Sequence, residues 1–474
     1  MDSTRKLIVT SPLLVMAMMV YSPLPSRAAP AEQAPMNVLL LMVDDLNTWL
    51  LNDPNRYGGK VIAPHIRKLA QSGVNFSHSY AASPSCSPSR TALLSGMSPW
   101  KTGIYANGLD MEKSSVLADA VFLPDQLKSA GYSIASYGKI SHGWGNRRGW
   151  DERFAHKRDP IPPDAPFTTV GRGEQDWGPI HLAEAEMNDT KYADAAIARI
   201  QQNHEHPFFI ACGLFNPHMP WYVPQEYFDL YPLDEIVLPA TKAGDLEDVP
   251  ELGRQLTDGK RNFVDSVLAN ELHREAVQAY LATTTYADRQ IGRVLEALES
   301  SPHRNNTIVI LISDHGFHLG EKNHWQKMTL WEEATHNLMI WRVPGLTRPG
   351  SKSSRFVSLQ DLYPTLMELT GVVPPDYLDG RSLLPLLQNP NTPWTSTAIS
   401  AHHDRYISIR TAEYRYIRYS ESQEELYDRR TDPHEWTNQI NNPNYASALQ
   451  ALRTQVPPLS DMKPLVDRRT RAGQ

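Results

Sequence analysis

Four short apolar runs, each ending abruptly in polar or charged residues, constrain the fold of this 474-residue chain more than any other feature. Asn37 to Val43 runs into Asp44-Asp45, and Tyr132 to Tyr137 into Gly138-Lys139. Phe208 to Cys212 leads towards Asn216-Pro217-His218, and Thr307 to Ile312 into Ser313-Asp314-His315. Each run has the length and the β-branched or aromatic content of a strand buried on both faces. Helical patterns lie between them, clearest over Glu271 to Leu298, with a shorter one over Pro124 to Ala130 that Gly131 closes. Alternating strands and helices predict an α/β fold with a large mixed, mostly parallel sheet flanked by helices, and ligands bind such sheets beyond the carboxyl ends of the strands. That rule gathers Asp44, Asp45, Lys139, His142, His218, Asp314 and His315 on one rim, although they are far apart in the chain.

The two ends of the chain read differently. Over residues 396–474 the texture changes, with period-two alternation in Tyr406 to Arg410 and Tyr414 to Tyr419, then Glu425-Leu426-Tyr427-Asp428 after a polar turn. This predicts a small C-terminal antiparallel-sheet subdomain packed on a main domain of residues 35–395, since no Gly/Ser-rich linker separates them. At the other end, Arg5-Lys6 precedes the apolar run Leu7 to Tyr21, and Ser26-Arg27-Ala28-Ala29 supplies small residues at cleavage spacing. Residues 1–28 therefore read as a signal peptide, and export to a periplasm or the extracellular space is expected if the source is bacterial. The apolar run is shorter than the roughly 20 residues a spanning helix needs, so no stable membrane anchor is expected. Loss of the leader removes three basic residues and one acidic residue, taking the net charge from -7 to -9. No global basic field exists to hold nucleic acid.

Two cysteines, Cys86 and Cys212, exclude a disulfide framework and every thiolate zinc module that needs four sulfurs. The segment Cys86-Ser87-Pro88-Ser89-Arg90-Thr91-Ala92-Leu93-Leu94-Ser95-Gly96 reads as a short helix, with Ser87 as N-cap, Pro88 at the first helical position and Gly96 as the stop. Cys86 then sits at its positive end, which attracts anions. On these residues alone a buried small side chain or half of a Cys86-Cys212 disulfide is the alternative reading of Cys86.

Cys-x-Pro-Ser-Arg followed by Leu-Leu-Ser-Gly resembles the signature of the type I sulfatases of the alkaline phosphatase superfamily. Asp44-Asp45, Gly138-Lys139-x-x-His142, Asn216-Pro217-His218, Ser313-Asp314-His315-Gly316, Lys327 and the terminal Glu-Leu-Tyr-Asp stretch resemble further family elements in family order. Asp-His at 314 and 315 is most similar to the iduronate-2-sulfatase-like branch. The resemblance implies that Cys86 is oxidised to formylglycine by a formylglycine-generating or anaerobic maturation enzyme. It also implies that Asp44, Asp45, Asp314, His315 and the modified Cys86 hold a calcium ion. Three carboxylates suit such a hard cation, whereas imidazole is more usual on transition metals. In the implied chemistry the formylglycine hydrates to a geminal diol, one hydroxyl attacks sulfur, and the other then expels sulfate.

By the same resemblance Arg90 steadies the formylglycine, Lys139 and Lys327 hold sulfate oxygens, His142 serves the second hydroxyl, and His218 protonates the leaving oxygen. His318, His324, Trp325, His336, His402 and His403 are further candidates for the rim, with ordinary packing roles as the alternative. Asn188-Asp189-Thr190 and Asn305-Asn306-Thr307 fit glycosylation sequons. The expected activity is hydrolysis of sulfate esters on sulfated carbohydrates, and the branch resemblance points to a sulfate beside a uronic acid. A phosphodiesterase or phosphonate monoester hydrolase, or a non-catalytic glycan-binding protein with Cys86 unmodified, are the alternatives.

Overall fold

Strand β1 (Asn37–Val43) lies inside the main sheet, and every one of its side chains is buried. Its register explains why: Leu39, Leu41 and Val43 pack in one hydrophobic core, while Val38, Leu40 and Met42 pack in another on the opposite face. In the computed structural model, described for Asp2 and residues 35–50, 56–142, 149–163, 165, 167–168, 175–258 and 261–468, nine strands share this sheet. The others are β2 (Val74–Tyr80), β3 (Ser133–Gly138), β4 (Glu152–Ala155), β5 (Phe208–Leu214), β6 (Thr307–Ser313), β7 (His336–Asn337), β8 (Met339–Arg342) and β9 (Ser351–Ser358). Their order is β7-β2-β8-β6-β1-β5-β3-β4, with β9 beside β2. Strands β6, β1, β5, β3 and β4 are parallel neighbours, and β8 and β7 run antiparallel to theirs.

Helices cover both faces. On one side lie α1 (Pro64–Ser72), α4 (Asn188–Ile200) and α5 (His273–Glu299); on the other lie α2 (Cys86–Ser95), α3 (Leu123–Ser129) and α6 (Leu362–Thr370). The expected architecture is thus the observed one. The signature helix starts earlier than its sequence suggests: Ser85 is the N-cap, because Ser89 N–H already donates to Ser85 O at 3.0 Å. Pro88 falls in the first turn, where its missing N–H costs nothing. Asn107 Oδ1 accepts from the otherwise unpaired Ser87 N–H at 2.8 Å.

A second, four-stranded antiparallel sheet follows in β10 (Ala398–His402), β11 (Tyr406–Arg410), β12 (Tyr414–Arg418) and β13 (Glu424–Asp428), with α7 (Ala446–Arg453) behind it. Buried charge fastens it to the main sheet. Glu332 accepts from Tyr80 Oη at 2.9 Å, from Arg410 Nε at 3.0 Å and from Arg415, whose Nε also pairs with Glu435 at 2.5 Å. The proposed leader, apart from Asp2, lies outside the described residues. Among the described residues no helix is long and apolar enough to cross a membrane.

Candidate active site

Four adjacent parallel strands end on one rim, and each delivers functional groups from its carboxyl end. The ladder carries on one residue past them: Asp44 N–H donates to Leu214 O (3.2 Å), Asp314 N–H to Val43 O (3.3 Å) and Lys139 N–H to Gly213 O (2.8 Å). This approach demands glycine. A Cβ on Gly138, whose φ is +77°, would stand 2.1 Å from Gly213 O, and one on Gly213 would stand 2.1 Å from Lys139 O. Asp45 has φ +57°, an uncommon conformation for a non-glycine residue, held by Tyr280 Oη donating to its carbonyl at 2.9 Å.

Helix α2 supplies the opposite wall. Cys86 is fully buried at its first position, and its Sγ lies 3.3 Å from His315 Nε2, 3.2 Å from Lys327 Nζ and 3.9 Å from Lys139 Nζ. One turn later, Arg90 spreads its guanidinium between two carboxylates, with Nη2 to Asp44 Oδ1 at 2.9 Å and Nε to Asp314 Oδ2 at 2.8 Å. Lys139 pairs with Asp44 and Lys327 with Asp45. Lys327 follows a two-stranded ribbon, His318–Leu319 with Trp325–Gln326, and stands between two positive-φ residues, Gln326 and Met328.

The electrostatics follow from this packing. Burial would raise Asp44, but Lys139 and Arg90 beside it hold its carboxyl well below the usual range. Asp45 goes the other way: burial raises it, and Lys327 only partly opposes that. Burial would lower His315, yet Asp314 and Cys86 lift it to about 9. Its Nδ1 lies 2.9 Å from Gly316 O and must carry the proton, since a carbonyl only accepts. In the neutral ring Nε2 is therefore the lone-pair nitrogen, aimed at Cys86. His218 bonds Met219 O through Nδ1 at 2.6 Å and presents Nε2 to Asp45 Oδ2 at 3.9 Å. Burial, Lys327 and Lys139 hold it well below its ordinary value. His142 is half-buried, and burial together with Lys139 pulls it down to about 3.

Two sets of donors lie within 4.8 Å of one another: Asp44, Asp45, Cys86 and His218, and Asp44, Cys86, Asp314 and His315. Carboxylates around a nucleophile position, with two lysines and an arginine, suit a hard cation and an anionic ester together. The sulfatase family profile matches residues 36–372, and a profile described as N-sulphoglucosamine sulphohydrolase, C-terminal, matches residues 320–461. The chain belongs to the sulfatase family. It is a sulfuric ester hydrolase by that membership. A sulfatase of Formosa agariphila is 34% identical over 439 residues, covering 89% of this chain and 86% of that protein. Human iduronate 2-sulfatase is 29% identical over 401 residues, covering 72% and 70%. The solved phosphonate monoester hydrolase of Silicibacter pomeroyi superposes with a TM-score of 0.75 at 22% identity, covering 89% of this chain and 94% of that one.

All the residues expected at the site of this sulfatase, Asp44, Asp45, Cys86, Arg90, Lys139, His142, His218, Asp314, His315 and Lys327, come together here, on the rim, on its α2 wall or, for Lys327, just past the ribbon that reaches Cys86. His142 falls outside both donor sets. Cys86 and Cys212 are free thiols, so the disulfide alternative is not what the structure contains. The other histidines are mostly structural: His318 bonds Thr329 Oγ1 at 2.7 Å, His324 donates to Lys327 O at 2.9 Å, His336 to Ser77 O at 2.9 Å, and His402 to Tyr105 O at 3.1 Å. Trp325 is buried; His403 is exposed at the β10–β11 turn.

Three supporting residues escaped the sequence reading. Ser89 Oγ donates to Asp314 O at 2.5 Å, and its place inside the signature could have flagged it. Tyr280, which steadies Asp45, is indistinguishable in sequence from its apolar neighbours in α5. Asp189, met as the middle of a sequon, accepts from the backbone of Phe215 and Asn216 at 2.8 Å each and pins the loop that carries His218.

Proposed function

We propose that this sulfatase is an exported enzyme hydrolysing sulfate esters of sulfated carbohydrates, with a formylglycine made from Cys86 and a bound calcium ion. The observation that carries the reading is the convergence on Cys86 Sγ of Lys327 and His315, within 3.3 Å, above three buried carboxylates. Asp44, Asp45, Asp314 and the Nε2 of His315 fit a divalent cation, since three of the four donors are hard oxygens. A formylglycine at position 86 would supply a nucleophilic oxygen, and a bound cation would neutralise charge on it and on the sulfate. Sγ here stands in for that oxygen.

The residues of the chain then divide the work. Lys327 and Lys139, 3.2 and 3.9 Å from Sγ, grip sulfate oxygens as point charges. Arg90 fixes Asp44 and Asp314 so that neither swings from the site. His218 holds its resting proton on Nδ1, so Nε2 is free to take up a proton when the anion arrives and to deliver it to the departing sugar oxygen. His142 would serve the second hydroxyl of a hydrated formylglycine at position 86. The likeness to an iduronate sulfatase supports a carbohydrate substrate, and the N-terminal leader supports export in a periplasm or beyond.

Mass spectrometry of the Cys86 peptide from the native host, with rates on a sulfated oligosaccharide and on a phosphate diester, tests this. Aldehyde at Cys86 and a preference for sulfate are expected. A thiol alone, or a strong preference for the diester, overturns it.

A further inference from the structure

Before any oxidation, Cys86 is a thiol among histidine and aspartate side chains, and that makes a donor set in its own right. His315 Nε2 lies 3.3 Å from Cys86 Sγ, 3.5 Å from Asp45 Oδ1 and 3.6 Å from Asp314 Oδ2. Tetrahedral bonds of about 2.3 Å to sulfur and about 2.0 Å to nitrogen and oxygen separate a sulfur from a nitrogen by roughly 3.5 Å, and two lighter donors by roughly 3.3 Å. The separations of His315 Nε2 from Cys86 Sγ and from Asp314 Oδ2 therefore match a four-coordinate site, and Asp44 offers a fourth ligand atom within 4.8 Å of these three. Bonding of Nδ1 to Gly316 O fixes the ring with its lone pair inward, the support a metal-bound histidine normally requires.

Spacing alone does not choose the metal; donor type does. Oxygen donors suit calcium, whereas a thiolate beside an imidazole suits zinc. We propose that the unconverted chain is a zinc site, with Asp44, the Cys86 thiolate, Asp314 and His315 as ligands, and that conversion of Cys86 hands the same pocket to a hard cation. Binding releases the thiol proton and, from a protonated ring, the Nε2 proton of His315 to solvent, and changes no other bond. Lys327 and Lys139 stand beside the sulfur as counter-charges, while Arg90 holds two of the carboxylates in place. The contrast between the two forms rests on Cys86 being a formylglycine precursor; the zinc site of the thiol form does not.

The test uses full-length protein made in a host lacking the maturation enzyme, with the Cys86 thiol verified by mass. Metal-free protein is titrated with Co2+ as an optical probe, then with Zn2+ and Ca2+ as competitors, alongside Cys86→Ser. One equivalent of Co2+ is expected to give a sulfur-to-cobalt charge-transfer band that one equivalent of Zn2+ abolishes and Ca2+ leaves intact. Loss of an outer-shell partner alone costs a metal about 10–100-fold in affinity, so Cys86→Ser should bind Zn2+ at least roughly 100-fold more weakly. Absence of the band, which needs no variant to observe, or equal zinc affinity in the two proteins, overturns the proposal. If the band appears but converted protein hydrolyses no sulfate ester, the functional reading falls and the zinc site stands. If converted protein hydrolyses sulfate esters and the thiol form gives no band, the reverse holds.

Discussion

Replacing Arg90 by Met removes a group that neutralises two buried carboxylates, Asp44 and Asp314, at once. Its guanidinium meets Asp44 at 2.9 Å and Asp314 at 2.8 Å, and none of the three side chains is more than 1% exposed. Removing one partner of such a pair leaves an uncompensated buried charge, which costs about 3–5 kcal/mol. At about 2.1 cal/mol/K per residue, the body Met36–Gln474 has an unfolding entropy on the order of 0.9 kcal/mol/K. The loss then lowers the melting temperature by roughly 3–6 °C. Differential scanning calorimetry in EDTA, which keeps a cation from replacing the lost charge, measures it. The pH dependence has a definite sign. Asp44 is held well below its ordinary value, so its pairing contributes fully above the unfolded carboxyl pKa of about 3.9 and is lost as pH falls towards the depressed folded value. In the variant Lys139 remains to oppose burial at Asp44 without Arg90, so the carboxyl rises, and the gap from wild type is widest at neutral pH and narrows near pH 4 and below. Arg90→Lys keeps the charge without the fork and should fall between the two. A melting shift below about 1 °C at pH 7, or a gap that widens on acidification, refutes the reasoning.

Three further outcomes are expected. His218→Gln should slow hydrolysis of an alkyl sulfate by about 10²–10⁴-fold yet slow a nitrophenyl sulfate far less, because a good leaving group needs no acid; equal losses in kcat/KM for both would remove His218 from that role. Because His218 is held neutral at rest, binding of inorganic sulfate should take up a proton between pH 6 and 7, read as buffer-dependent binding heat in calorimetry, and His218→Gln should abolish most of that uptake. Arg415→Ala strips Glu332 and Glu435 of a fully buried partner and should cost about 3–5 kcal/mol, measured as a melting shift with the same dependence on pH as Arg90→Met.

Strand ends and the functional residues at them were legible because both signals are local. An apolar run that stops in charge states where a buried strand leaves the sheet, and Asp44, Lys139 and Asp314 sit at those stops. Signals that depend on tertiary partners were not legible. The N-cap of α2 shifted to Ser85 because the bond that starts the helix, Ser89 to Ser85, is invisible in the order of residue types. Asp189 looked like part of a sequon, yet its role comes from two amides 26 and 27 residues away. Most of the histidines expected near the rim are consumed by buried carbonyls, a fate that sequence cannot distinguish from exposure.

Burial of Cys86 also sets a clock. The side chains that close over its sulfur, His315 and Lys327, lie 229 and 241 residues further along the chain. Contacts of such long range form late, after the loop between them has closed. A chain emerging from its N-terminus therefore exposes the Cys86 segment long before the rest of the rim exists, and once β6 docks beside β1 no macromolecule can reach the thiol. An enzyme that modified this residue would have to win a race against folding, and a variant that folds faster, with its active-site geometry untouched, would then leave a larger share of its molecules unmodified.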